Sequence, residues 1–232
     1  MKKAGDPQQG GIGSGTIRNF AVTSLFAAVI FLMAFTPIGF INLVVIKGTI
    51  VHVPVIIGSI LLGPKIGALL GALFGLTSVI NNTMAPALLS FAFSPLIPVP
   101  GTGRGSLLAL LICFGPRILV GVVPYYVDRL IMLTFGRGDK GSRMRVPSLF
   151  AAGVAGGMTN TLLVMGLIYV VFKDAYAAAR NVDPSAVLGM ILGVVGMHGV
   201  PEATIAGVIT SAVCRAIIAY RERDKATFPE IK

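Results

Sequence analysis

The chain returns repeatedly to apolar runs that are too long and too continuous to be hidden inside a water-soluble domain. AVTSLFAAVIFLMAF, VHVPVIIGSILL and AGVAGGMTNTLLVMGLIYVVF are three of them. A helix needs about 20 predominantly apolar residues to cross a bilayer. With 55% hydrophobic residues, 12% charged ones and a mean hydropathy of +0.87, the solvent for most of this chain is lipid. The 29 glycines agree, because glycine is commoner in membrane helices than in soluble ones. A β-barrel would need alternating segments of about ten residues. The runs here are continuous, so the expected fold class is an all-α integral membrane protein.

Six spans are expected, at about 17–36, 49–63, 65–80, within 107–135, 147–172 and 201–220. Gly63-Pro64 marks a tight turn between the second and third. Pro86, Pro95, Pro98 and Pro100 prevent the segment from Asn81 to Gly105 from forming one helix. Pro116 is expected to kink or start the fourth span. A helix over 185–197 is too short to cross, and Pro201 then opens the sixth span, where its missing N–H does no harm.

The net charge is +10, yet the basic residues collect between and after apolar runs, as topology signals do and nucleic-acid patches do not. With both ends inside, fourteen Lys and Arg fall on the inner side and five on the outer: Lys47, Arg104, Arg117, Lys173 and Arg180. Both termini are therefore expected in the cytoplasm. Residues 1–16, polar and glycine-rich, are expected to be a disordered tail, and 221–232 a second cytoplasmic tail. The long connections 37–48, 81–106 and 173–200 fall on the outer side, so a ligand should arrive from there. Cys113 and Cys214 lie near opposite ends of their helices and are not expected to pair.

Several polar and small residues stand out within this apolar frame. Gly67, Gly71 and Gly75 recur every four residues, a spacing that lets helix backbones approach closely, either internally or against a partner. Ser24 and Ala28, with Ala21 nearby, repeat the spacing on the first span, where either internal packing or docking to another protein would use it. Thr159-Asn160-Thr161 sits in the outer half of the fifth span. A buried amide in lipid must be paired, by another helix or by a ligand. In MHGVPEATIAGVIT, Glu202 falls in the first turn of the sixth span, where the helix dipole favours a negative charge. His198 and Asn160 lie at a similar depth. Arg117 is a further charge at that level, placed either to pair with Glu202 or to bind an anion bidentately. Asn82 and Lys47, on the outer side, complete the candidate substrate-binding set of Asn160, Thr159, Thr161, Glu202, His198 and Arg117. A polar cluster roofed by loops has the form of a small-molecule pocket.

Enzyme motifs are missing. No His-Glu-x-x-His or Gly-x-Ser-x-Gly occurs, and there are only two histidines. No phosphate-binding P-loop occurs either, so uphill transport would draw its energy from a partner.

Four stretches together carry a resemblance: TIVHVPVIIGSILLGPKIGALLGALFGLTS, GPRILVGVVPY, MTNTLLVMGLIYVVF and HGVPEATIAGVIT. In these the chain, from about Asn19 to Tyr220, resembles the substrate-binding S components of energy-coupling factor (ECF) vitamin transporters. The resemblance implies a six-helix S-component fold and capture of a water-soluble vitamin. It also implies assembly with a transmembrane coupling subunit and two cytoplasmic ATPases. Ser24 and Ala28 match the positions of the family's Ala-x-x-x-Ala docking face, with Ser replacing the first Ala. Pro-Arg, Thr-Asn-Thr and Pro-Glu-Ala in the last three spans are most similar to pantothenate-type members. Members for folate, cobalamin, riboflavin or biotin are the alternative, and a stand-alone channel or structural membrane protein is a different class of reading. The metal-binding branch uses an N-terminal histidine site, and no histidine precedes His52. Neither a metal nor a cofactor is expected.

Overall fold

The computed structural model of the protein describes residues 14–36, 40–43, 46–136 and 140–227. The described chain is helical: α1 (Ser14–Phe35), α2 (His52–Leu62), α3 (Pro64–Met84), α4 (Leu108–Val120), α5 (Val123–Phe135), α6 (Lys140–Arg180), α7 (Val187–Val194) and α8 (Val200–Thr227). Five stretches are long and apolar enough to cross a membrane: Ile17–Phe35, Pro64–Met84, Leu108–Phe135, Gly141–Arg180 and Pro184–Tyr220. α2 is the short sixth helix, apolar throughout and buried along most of its length.

The structure departs from the expected elements in four places. First, the expected 37–48 connection carries a small antiparallel hairpin of β1 (Phe40–Leu43) and β2 (Ile46–Thr49) beside the otherwise helical membrane frame. Second, Pro116 neither kinks nor starts its span. It lies inside α4, and the helix breaks at Gly121-Val122 instead, with Pro124 in the first turn of α5. Third, α7 does not stop before α8. A π-helical turn, Val195–Gly199, joins them into one helical run. The extra residue of a π-turn accommodates Pro201, which cannot donate to the preceding turn. Fourth, α6 begins before the expected 147, and a kink at Phe172, where the span was expected to end, leads into a further helical stretch that runs to Arg180. α8 likewise continues to Thr227, inside the expected C-terminal tail, and α1 begins at Ser14, inside the expected 1–16 tail, whose residues 1–13 lie outside the described residues.

Two glycine seams set the packing. A Cβ on Gly67 would stand 2.0 Å from the Gly121 carbonyl oxygen, and one on Gly71 would stand 2.1 Å from that of Arg117. One on Gly75 would press on Phe114 and the Cys113 carbonyl. The Gly67–Gly71–Gly75 face is thus spent on internal contact between α3 and α4. On the other side Gly153 and Gly157 of α6 admit the backbone of Gly207 and Ala203 of α8. Such seams bring polypeptide backbones together where lipid offers no hydrophobic drive.

The buried side chains form two clusters. One gathers Ile30, Ile56, Leu70, Phe74, Val120 and Ala206 from α1, α2, α3, α4 and α8. The other gathers Phe91 and Val99 of the 85–107 connection with Ile112, Ile168, Tyr176 and Val187, fixing that connection against α4, α6 and α7. Midway along α5, Asp128 accepts from Arg145 Nη1 at 3.1 Å and from Ser148 Oγ at 2.7 Å. Beyond α6, Asp183 caps the turn Pro184–Ala186 by accepting from Ser185 N at 2.8 Å. Ser185's hydrogen bonds hold that carboxyl below its ordinary value.

Candidate ligand-binding cavity

The C-terminal ends of α1 and α3 meet at Asn81, whose Nδ2 donates to the Ala34 carbonyl at 2.8 Å. Asn82, the next residue, donates to Ser78 O at 2.9 Å and accepts from Ser90 Oγ at 2.7 Å. Thr83 and Ser94 share a 2.7 Å hydrogen bond. These contacts tie the 85–107 connection to α3 and carry Phe93 across to α4. Between these elements, the start of α2 and α6 lies a cavity of about 230 Å³, lined by Ala34, Val51, Phe74, Thr77, Ser78, Asn81, Asn82, Phe93, Arg117 and Asn160.

Arg117 dominates its electrostatics. The residue is 6% exposed. Its Cζ lies 5.5 Å from the Phe74 ring centroid and 5.1 Å from that of Phe93. Nη1 donates to the Ile112 carbonyl at 2.9 Å, and Nε has no partner among the described residues. The ion pairs among the described residues are His52–Glu202 at 3.4 Å and Arg145–Asp128 at 3.1 Å, and Arg117 belongs to neither. Two aromatic faces supply about 2 kcal/mol or more to a desolvated cation. Taking such an ion out of water still costs several kcal/mol when no counter-charge accompanies it. The arrangement therefore favours entry of an anion. Asn160, across the cavity, has its Oδ1 buried with no partner among the described residues.

The structure gathers Arg117, Asn160 and Asn82 of the expected set into this cavity and places the others elsewhere. Thr159 donates to its own helix at Ala155 O, 2.6 Å away. Thr161 fills the space beside Gly199, where a Cβ would come within 2.6 Å of its methyl group. Gly199 is thus a close-approach point between α6 and the π-turn, not a bend. Glu202 pairs with His52 of α2 instead of Arg117. Because α7 and the π-turn continue the helix on the N-terminal side of Glu202, a free helix end is no longer what holds its charge. His198, inside the π-turn, lines a separate cavity of about 270 Å³ with Tyr176 and Arg180. Lys47 falls on β2, where side chains lie outside the described residues. Ala21, Ser24 and Ala28 all lie exposed on α1, whose opposite side buries Ile30 and Ala34.

The sequence reading overlooked Thr77, Ser78 and Asn81. Their signal was present, since Thr77-Ser78 and Asn81-Asn82 recur at one helical turn in an otherwise apolar run, and such polar pairs inside a span mark a pathway or site.

Residues 18–214 match the family described as ECF transporter, substrate-specific component. The chain belongs to that family. It is 37% identical over 177 residues to the pantothenic acid transporter PanT of Lactococcus lactis subsp. cremoris, covering 76% of this chain and 80% of that protein. It is also 26% identical over 209 residues to the pantothenate transporter PanT of Leuconostoc mesenteroides, covering 87% and 93% respectively. The cavity of this substrate-specific component, lined by both polar and apolar side chains and set in a helical membrane frame, suits a receptor for a small solute.

Proposed function

We propose that this protein is the pantothenate-capturing subunit of an ECF importer. The observation that carries the reading is Arg117, a buried cation facing a cavity with no carboxylate paired to it among the described residues. Pantothenate brings a carboxylate, an amide, two hydroxyls and a compact branched apolar centre. Arg117 answers the carboxylate with a planar fork of donors. Asn160, Asn82 and Thr77 answer the amide and hydroxyls, and Val51, Phe74 and Phe93 the apolar centre. The relatives' names point to the same ligand. Size favours it over the largest vitamins. At about 230 Å³ the cavity lies below the usual range of about 300–1,000 Å³ for small-molecule pockets, which suits pantothenate and not the much larger folate or cobalamin.

The protein's partners are a transmembrane coupling subunit and two cytoplasmic ATPases, the latter hydrolysing the ATP; membership of the ECF family supports this assembly. The exposed Ala21, Ser24 and Ala28 of α1 form the face offered to the coupling subunit. Both termini lie in the cytoplasm, as the excess of inner Lys and Arg favours, and the ligand enters from outside.

Calorimetry on the detergent-solubilised protein alone, across pantothenate, its alcohol analogue pantothenol, biotin, riboflavin and folate, tests the reading. Pantothenate should bind with no ATP or partner present, and pantothenol more weakly. Folded protein that binds none of them, or binds pantothenol as tightly, would overturn it.

A further inference from the structure

Pro116 stands beside Arg117 inside α4, where a proline is ordinarily a defect. A proline within a helix removes the hydrogen bond to the carbonyl four residues earlier, and its ring pushes that carbonyl aside. Here that carbonyl belongs to Ile112. It is not left empty, because Arg117 Nη1 donates to it at 2.9 Å. The α4 backbone runs on past Pro116 to Val120 without a break. The geometry points to Pro116 as a positioning residue for anion recognition: by withholding its own N–H it frees the Ile112 carbonyl to hold the Arg117 guanidinium.

Three observations converge on this role. The Ile112 carbonyl is the one polar group among the described residues that accepts a hydrogen bond from the Arg117 guanidinium, which also meets the phenyl faces of Phe74 and Phe93. Any residue other than proline at 116 would bring an N–H to the same carbonyl and compete for it. Arg117 is also packed through its own backbone, since its carbonyl meets Gly71 across the helix seam. With main chain fixed on one side and guanidinium tethered on the other, the donor fork keeps one orientation toward the cavity. A side chain as long as arginine otherwise loses much rotamer freedom on binding, and that loss subtracts from affinity.

The inference rests on the proposed binding of a carboxylate by Arg117, and the test separates the two. Pro116→Ala and Pro116→Val both restore the N–H, and the valine keeps most of the buried volume. Affinities for pantothenate and for pantothenol are measured by calorimetry, and melting temperature by thermal shift. Replacing a proline in a helix interior should leave the melting temperature unchanged or higher. Pantothenate affinity should nonetheless fall about three- to tenfold, the range set by one hydrogen bond, with pantothenol affinity unchanged. In an Arg117→Gln background the proline substitutions should have no further effect. Equal losses for both ligands, or no loss for pantothenate in either folded variant, would overturn the role of Pro116. If the wild type fails to distinguish the two ligands, the reading of Arg117 fails instead.

Discussion

His52 Nδ1 lies 3.4 Å from Glu202 Oε1, joining the first turn of α2 to the first turn of α8. His52 is 1% exposed, and its neighbour Val51 lines the cavity. The pairing holds the start of the short buried helix against the long outer one. It also removes Glu202 from competition for Arg117, so the two charged systems stand apart.

Glu202→Gln should therefore act on stability. The amide keeps the shape but removes the charge that faces His52, and a disrupted buried polar contact costs about 1–3 kcal/mol. Thermal shift should register a lower melting temperature while calorimetry gives pantothenate affinity within about twofold of wild type. A fall in affinity at unchanged melting temperature would place Glu202 in contact with ligand.

Arg117→Gln should weaken pantothenate binding by roughly 10- to 150-fold, the range for hydrogen bonds to charged groups. The variant should also lose the preference of pantothenate over pantothenol. Arg117→Lys should recover only part of the affinity, since an ammonium cannot present a planar fork or lie flat between two rings. Calorimetry with both ligands reads each effect.

Asn160→Ala removes an amide whose oxygen has no partner among the described residues, so its contact falls on the ligand. About five- to 150-fold weaker binding is expected, with the apo melting temperature nearly unchanged. Asn160→Asp should be worse than alanine, because it sets a second negative charge in the cavity beside an anionic ligand. Unchanged affinity in both variants would move the ligand elsewhere.

Glycine substitutions should divide sharply by position. A Cβ at Gly71 meets the Arg117 carbonyl at 2.1 Å, and that backbone cannot move aside without separating α3 from α4. Gly71→Ala should cost about 1–3 kcal/mol of stability and weaken ligand binding as Arg117 shifts. Gly166, on exposed α6 with nothing within 4 Å of a built Cβ, should tolerate alanine or gain about 0.5–1 kcal/mol. Denaturation in detergent compares the two.

Ala28→Trp tests the α1 face. Ala28 is exposed, so a bulky ring leaves the isolated protein folded and its ligand affinity intact. Close approach of a partner helix is what the ring prevents. The variant should fail to co-purify with the coupling subunit and ATPases. Recovery of the whole complex at wild-type yield would remove this face from the assembly.

The membrane frame was legible because lipid imposes a length and a polarity that few other environments do. Gly67, Gly71 and Gly75 were legible as a seam, since spacing alone aligns them on one face. Arg117 and Asn160 stood out as polar residues in apolar runs. The cavity's other walls were not legible. Asn81 and Asn82 act through partners on α1 and the 85–107 connection, and no local pattern announces such tertiary contacts. Pro116 and Pro201 misled for a common reason: proline removes one hydrogen bond, and whether the helix breaks depends on what satisfies the freed group. An arginine does so at Pro116, and a π-turn absorbs Pro201. That π-turn also sends His198 to another cavity, away from the Asn160 level where straight helical counting put it.

Among the described residues no carboxylate pairs with Arg117, and this bears on how the proposed ligand would be let go. A receptor with a built-in counter-ion can release an anion by exchanging one partner for another at nearly constant electrostatic energy. If Arg117 binds the carboxylate as proposed, emptying the cavity would leave its guanidinium with only the Ile112 carbonyl and two aromatic faces, so the unloaded state would lie uphill until water or a small anion enters. On that proposal, release would be driven from outside the chain, by partners that deform or hydrate the cavity. Tight capture and assisted discharge are then two faces of one unneutralised charge.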